Sequence, residues 1–147
     1  MTAFKNINGE IFQNTLNILT DLIKFQTESG KSNIKLIEYC ENELKKYGAS
    51  SFKTFNKDKT QANLFSTIGA NKDNKKKGII LSGHTDVVPA VSKEWTSDPY
   101  TAVKKDNKVY GRGTCDMKGF IACTLAAAPL FASNKLNAPI HFSYTFD

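Results

Sequence analysis

The segment LSGHTDVVPA, residues 81–90, places a histidine and a carboxylate two positions apart, directly after a run of apolar residues. That run, 78–81, is typical of a strand covered on both sides, so we expect His84 at the carboxyl end of a buried strand. A neutral imidazole there can bind a borderline metal such as zinc. In an extended chain Asp86 points to the same side and can orient the imidazole. The alternative is a histidine held by loop hydrogen bonds.

A second candidate carboxylate, Asp116, lies in YGRGTCDMKGF, where a glycine-rich loop turns into an apolar helix. Gly111 and Gly113 permit a close approach of the backbone to another group. The alternative is an ordinary acidic residue in a first helical turn, which the helix dipole favours. Cys115 has no identifiable basic partner and is predicted to be a small packing residue. His141, in an alternating strand pattern, is predicted to be structural.

The elements that must position these groups alternate between helical and strand patterns. Apolar residues recur at helical spacing over 11–26 and 33–47. Residues 115–133 are apolar around the whole helix circumference, which predicts a buried central helix that Pro129 kinks or ends. Strand patterns occur at SSFKTFN, ANLFSTIG, GIILSG and PIHFSYTF. This mixture predicts an α/β fold without internal repeats.

Composition narrows the class of protein. The 147 residues are 40% hydrophobic and 23% charged, as expected of one globular domain. We find no apolar run approaching the ~20 residues of a membrane span and no basic-then-apolar secretion signal. The three cysteines form no CxxC pair, so neither a disulfide framework nor a cysteine zinc knuckle is predicted. We therefore expect a cytoplasmic protein with no membrane partner.

The net charge of +6 is compatible with nucleic-acid binding. Nearly all the positive charge is lysine, however, and the densest run, NKDNKKKG at 71–78, is interleaved with Asn and Asp. We interpret this run as a solvated turn between two strands, with a phosphate-binding patch as the alternative. Since no nucleic-acid signature accompanies it, we predict no nucleic-acid partner.

Taken together, LSGHTDVVP, WTSDPY and YGRGTCDMKGF resemble, in order and spacing, the N-terminal part of the co-catalytic zinc amidohydrolases. This family contains acetylornithine deacetylases, succinyl-diaminopimelate desuccinylases, aminoacylases and several peptidases. The upstream helices and strands also look like those of acetylornithine deacetylases. The resemblance implies a mixed, mostly parallel sheet sandwiched by helices. It further implies that residues 1–147 are the N-terminal part of the catalytic domain, without the family's inserted dimerisation domain.

The resemblance implies a role for each candidate residue. His84 is implied as a ligand of one of two zinc ions, for which cobalt can substitute. Asp116 is implied as the carboxylate that bridges both ions, and Asp86 as the catalytic-site residue that orients His84. The Asp116–Met117 peptide bond is implied to be cis. No other cofactor-binding residue is implied.

The family pattern continues the last strand into Asp-Glu-Glu, of which this chain shows the first residue as Asp147. In that pattern the first glutamate is the general base and the second is a metal ligand, and further ligands follow later in family members. A zinc ion takes about four ligands, and hydrolysis also needs a base. The chain alone is therefore expected to be a truncated, inactive fragment of a homodimeric enzyme.

The loop WTSDPY and the closing HFSYTFD favour the deacetylases within this family, because desuccinylases tend to have two prolines in that loop. We expect a small acylated amino acid as substrate. The expected reaction releases acetate from N2-acetyl-ornithine in arginine biosynthesis. The alternatives are succinyl-diaminopimelate desuccinylase and a general acylamino-acid hydrolase or dipeptidase. A non-catalytic binding module on the same scaffold is the alternative from another class.

Overall fold

The computed structural model describes residues 2–69 and 77–146. Along this part of the chain the helices and strands are α1 (Thr2–Lys24), α2 (Ile34–Lys45), β1 (Ser50–Phe55), β2 (Ala62–Ile68), β3 (Ile79–His84), β4 (Val103–Lys105), β5 (Lys108–Tyr110), α3 (Gly119–Ser133) and β6 (Ile140–Thr145). A 3₁₀ turn, Ser92–Glu94, follows β3, and a wide turn, Thr114–Lys118, precedes α3. The lysine-rich run interpreted as a solvated turn lies largely, at 71–76, outside the described residues.

Four strands form one sheet in the order β1-β2-β6-β3, and β4 and β5 form a separate hairpin. β3 pairs with β6 in parallel, whereas β1–β2 and β2–β6 are antiparallel. The mixed α/β class is thus confirmed, but the parallel majority implied by the resemblance is wrong for these four strands. The physical reason is connection length. A short turn joins β1 to β2 and favours antiparallel pairing, whereas the long crossover through α3 lets β6 run parallel to β3.

The described helices cover one face of the sheet. α3 packs against β2, β3 and β6, α2 packs against β1 and β2, and α1 packs against α3. Alternation along the strands directs every second side chain into this layer. The buried core consists mainly of aliphatic and aromatic side chains from α1, α2, α3, β2 and β6: Ile18, Leu19, Leu22, Ile23, Leu36, Ile37, Leu44, Leu64, Ile121, Leu125, Phe142 and Tyr144.

No described helix packs on the opposite face of the sheet, so these residues show one of the two helical layers that the resemblance implies. Phe65 lies on this face, where its ring is 5.3 Å from the rings of both Phe52 and His141. Phe52 is 59% exposed, and Ile80 on β3, at the other edge of the sheet, is 57% exposed. The alternation along the strands that buries one set of side chains therefore leaves another apolar set exposed to solvent.

Helix α3 carries much of the apolar surface of the helical layer. Ile121, Leu125 and several alanines are buried, but Phe120 and Cys123 are exposed, so the helix is not buried around its whole circumference as predicted. It continues past Pro129 to Ser133. The exposed side exists because α1 and the sheet cover α3 from only part of its circumference.

One stretch of the described residues, Thr114–Ser133, is long and apolar enough to cross a membrane by length and composition alone. This differs from the expectation that no run approaches that length. A core helix passes the same test, because packing against both a helix and a sheet requires apolar residues on most sides. Its buried residues Ile121 and Leu125 belong to the core.

Candidate metal centre

His84 is the last residue of β3, at the sheet edge where the parallel strands β3 and β6 both have their carboxyl ends. This edge is where ligands bind in α/β sheets. The preceding Gly83 permits a close approach of the neighbouring turn. A Cβ atom added there would lie 3.2 Å from Met117 Cε and 3.3 Å from Phe120 Cδ1. The glycine in LSGH thus lets the segment that carries Asp116 pack against the end of the strand.

Asp116 lies in the turn Thr114–Lys118, where its φ of −123° and ψ of 95° depart from helical values. Gly113, with a φ of +80°, starts this turn, and a Cβ atom there would lie 2.6 Å from Val87 Cγ1. Both the dihedral angle and the space therefore require glycine at this position. The Asp116–Met117 peptide bond is cis, as the resemblance implied.

The structure brings the three predicted site residues together. His84 Nε2 lies 2.9 Å from Asp116 Oδ1, and His84 Nδ1 lies 3.0 Å from Asp86 Oδ1. The Asp116 side chain is 81% exposed, whereas that of Asp86 is 17% exposed. His84 and Asp116, which the resemblance implies as ligands of a shared metal ion, thus converge at the sheet edge. The imidazole lies between a partly buried carboxylate and a carboxylate that faces solvent.

The two carboxylates determine the protonation of His84. Partial burial lowers the pKa of His84, but the hydrogen bond with Asp116 and the charge of Asp86 together outweigh burial and raise it above its usual value. A raised pKa keeps a proton on the imidazole at higher pH. Since a metal ligand must offer an unprotonated nitrogen, protons and metal compete at His84.

Asp86 also contacts a residue that sequence reasoning missed. The hydroxyl of Ser29 lies 2.6 Å from Asp86 Oδ2. Ser29 precedes His84 by more than 50 positions and belongs to the loop between α1 and α2. Its only local signal is the turn-forming composition of ESGKS, which does not indicate a partner. The contact depends on the tertiary packing of that loop against residues 85–87.

A cavity of about 210 Å³ opens at these side chains. Its wall contains the three site residues together with Val87, Val88, Gly111, Arg112, Gly113, Thr114 and Cys115. Cys115 is exposed in this wall, so its prediction as a packing residue is wrong, because the turn directs it outward. The guanidinium of Arg112 lies 5.2 Å from the ring centroid of Trp95. His141 is elsewhere, on the open sheet face, with Nδ1 2.8 Å from Thr67 Oγ1, as expected of a structural residue.

The donor set fits part of a zinc site. An imidazole nitrogen and a carboxylate oxygen are typical zinc ligands, and their 2.9 Å separation is less than twice a bond of about 2 Å. A single ion can therefore contact both His84 and Asp116. Over residues 2–69 and 77–146 no group of three or more His, Cys, Asp or Glu side chains is placed to hold a metal ion. Asp147, the start of the family's acidic pattern, lies outside the described residues.

The sequence is similar to a known family and to curated members of it. The model of Peptidase family M20/M25/M40 matches residues 80–147, the part that contains all three site residues. Succinyl-diaminopimelate desuccinylase of Rickettsia felis is 40% identical over 90% of this chain and 35% of its own length. Acetylornithine deacetylase of Yersinia pseudotuberculosis is 43% identical over 58% of this chain and 22% of its own length.

The fold is similar to that of solved structures with the same partial coverage. Human carnosine dipeptidase 1 superposes with a TM-score of 0.82 at 22% identity, over 97% of this chain and 33% of that one. An M20 family metallo-carboxypeptidase, Sso-CP2 from Sulfolobus solfataricus, superposes with a TM-score of 0.75 at 26% identity, over 89% and 30%. The chain thus spans about a third of the length of the relatives that match most of it.

Proposed function

We propose that this chain belongs to Peptidase family M20/M25/M40, whose model matches residues 80–147, and that it is the N-terminal part of the catalytic domain of a zinc-dependent amide hydrolase. One observation carries the proposal. His84 Nε2 and Asp116 Oδ1 converge to 2.9 Å at the carboxyl edge of the sheet, with Asp86 behind the imidazole. An imidazole and a carboxylate so placed, in a segment with this family match, are best explained as metal ligands.

Each of the three residues has a distinct part in this proposal. With a metal in place of the Nε2 proton, His84 Nδ1 would donate a hydrogen bond to the Asp86 carboxylate across 3.0 Å, and the Nε2 lone pair would be available to the metal. Asp116 brings a negative charge to the same point from the opposite wall. A zinc ion held there supplies Lewis-acid chemistry for amide hydrolysis. Asp86 acts through His84, so we assign it a positioning part in catalysis.

The remaining ligands and the general base are proposed to come from further parts of a longer protein. The support is coverage, because the chain spans about 35% of the Rickettsia felis relative. Two ligands from this chain leave the coordination of two zinc ions incomplete. The inserted dimerisation domain is likewise proposed to belong to that longer protein, which we propose to be a homodimer.

For the substrate we propose an acylated amino acid, with N2-acetyl-ornithine first. The loop WTSDPY supports a deacetylase, as does the similarity to the Yersinia enzyme. The second candidate is succinyl-diaminopimelate, since the desuccinylase of Rickettsia felis matches a larger share of this chain. In both, the scissile amide lies next to an α-carboxylate, so the same metal chemistry serves either.

We further propose that the enzyme acts in the cytoplasm, with neither a nucleic acid nor a membrane as partner. Arg112 is the one arginine of the sequence, and the positive charge is otherwise dispersed lysine. The apolar composition of α3 would suggest a membrane span, but several of its apolar residues are buried in the hydrophobic core.

The test compares this chain with a longer protein that adds the family's Asp-Glu-Glu pattern and later ligands. With zinc or cobalt, the longer protein should hydrolyse N2-acetyl-ornithine faster than succinyl-diaminopimelate, and the 147-residue chain should hydrolyse neither. A preference for the succinyl substrate would change only the choice of substrate. A longer protein that binds no metal and cleaves no acylated amino acid would instead favour the non-catalytic binding module.

A further inference from the structure

The loop after α1 pairs with the residues that follow His84. Val87 N donates to Thr27 O at 2.8 Å, and Ser29 N donates to Val87 O at 3.0 Å. The buried hydroxyl of Thr27 also donates to Thr85 O at 2.5 Å. Backbone bonds in both directions hold the two segments in one register, so residue 86 has a defined position relative to the loop.

The same loop also contacts the other side of the metal centre. The fully buried Lys118, two residues after Asp116, extends its ammonium group to Phe25 O at 2.6 Å. The loop backbone is therefore fixed on both sides of the metal centre. A side chain of this loop that contacts a residue of the centre can hold that residue in one position. Ser29 is the loop residue that points a polar side chain at Asp86.

The Asp86 carboxylate is held at both of its oxygens. Oδ1 lies 3.0 Å from His84 Nδ1, and Oδ2 accepts a hydrogen bond from the Ser29 hydroxyl at 2.6 Å. The contact at Oδ2 comes from a separate chain segment and restricts rotation of the carboxylate, and thus the orientation that Asp86 imposes on the imidazole.

We propose that Ser29 is a positioning residue of the metal centre, which fixes Asp86 and through it the orientation of His84. This inference rests on the proposed function, because it assigns Ser29 a part in metal binding. Loss of a group that orients a ligand costs about 10–100-fold in metal affinity. Ser29 acts one contact further from the metal, so we expect its loss to cost less, about threefold to tenfold.

The experiment is a cobalt titration of the longer protein followed by its visible absorption, with kcat and KM measured in parallel. Ser29→Ala should weaken cobalt binding by about threefold to tenfold, whereas Ser29→Thr should stay within about twofold of the parent. Ser32→Ala is the matched control, since Ser32 belongs to the same loop but its hydroxyl faces Ile34 N at 3.4 Å. It should bind cobalt like the parent. If Ser29→Ala does not fold, the cobalt affinity of Ser29→Val is compared with that of Ser29→Thr, since the two side chains are similar in shape and only threonine has the hydroxyl.

A double-mutant cycle separates positioning from a general effect on stability. In an Asp86→Ala background, Ser29→Ala should cause no further loss of cobalt affinity, because the group it positions is gone. The inference is overturned if Ser29→Ala lowers cobalt affinity as much in the Asp86→Ala background as in the parent. It is also overturned if Ser29→Ala and Ser32→Ala bind cobalt equally well. Either result leaves the proposed function intact. A parent protein that binds no cobalt overturns both.

Discussion

Asn33 is predicted to be a principal source of stability beside the candidate metal centre. This residue is 2% exposed at the start of α2. Its amide nitrogen donates to Ala62 O and to Thr85 Oγ1, each at 2.8 Å, and its Oδ1 accepts from Ala62 N at 2.8 Å. Ala62 and Thr85 are fully buried. Asn33 thus joins a helix, the central part of the sheet and the residue between His84 and Asp86.

Asn33→Ala should lower the free energy of unfolding by about 3–5 kcal/mol. Ala62 N and Ala62 O both lose the Asn33 partner, and a buried group left without a hydrogen bond costs about 1–3 kcal/mol. The Thr85 hydroxyl also loses Asn33 but keeps its hydrogen bond to Thr145 O. The sum is reduced if water enters the space vacated by the amide. A loss of this size is a large fraction of the roughly 5–15 kcal/mol that typical domains possess.

The measurement is equilibrium unfolding in urea, followed by circular dichroism and by the fluorescence of Trp95, the one tryptophan of the sequence. Asn17→Ala is the matched control, because Asn17 is exposed on α1 and its side chain contacts Gln13 at 3.0 Å. It should change stability by no more than about 0.5 kcal/mol. If Asn33→Ala also costs less than about 1 kcal/mol, these hydrogen bonds do not hold the elements together as described.

Two further predictions concern charge. In the longer protein, Asp116→Ala should abolish activity and lower the metal content. Asp86→Ala should reduce metal affinity or activity by about 10–100-fold, but its metal site should still fill at saturating metal. Equal loss of metal by the two variants at saturation would contradict this division of roles. The second prediction concerns Glu28, whose pKa is lowered from 4.5 to about 2 by hydrogen bonds from Lys31 and, to a smaller extent, from Tyr100. The ionised Glu28 therefore stabilises the folded state fully above about pH 4.5, and this contribution is lost as the pH falls through about 2. The stability difference between the parent and Glu28→Gln, measured by urea unfolding, should therefore shrink between pH 6 and pH 2.5, and a constant difference would refute the assignment.

The sequence was sufficient for features that depend on local spacing. The apolar run before His84 predicted a strand that ends at the histidine, and β3 is Ile79–His84. The predicted burial on both sides is wrong, because β3 is an edge strand and its Ile79 and Ile80 are exposed. The spacing of His84 and Asp86 predicted that both side chains point the same way, because successive side chains alternate in an extended chain. The turn into the apolar helix at Asp116 was also predictable, since Gly113 is the residue type that a positive φ requires.

Other features were decided only when distant segments packed together. Local patterns identify strands but not their neighbours, so the antiparallel pairs of β1 with β2 and of β2 with β6 did not follow from them. The contact of Ser29 with Asp86 joins residues whose separation along the chain carries no periodic signal. The 2.9 Å distance from His84 to Asp116 also depends on how closely the turn approaches the strand end, which Gly83 permits. Residue spacing governs backbone conformation over a few residues, whereas these contacts are determined by packing and hydrogen bonding between elements.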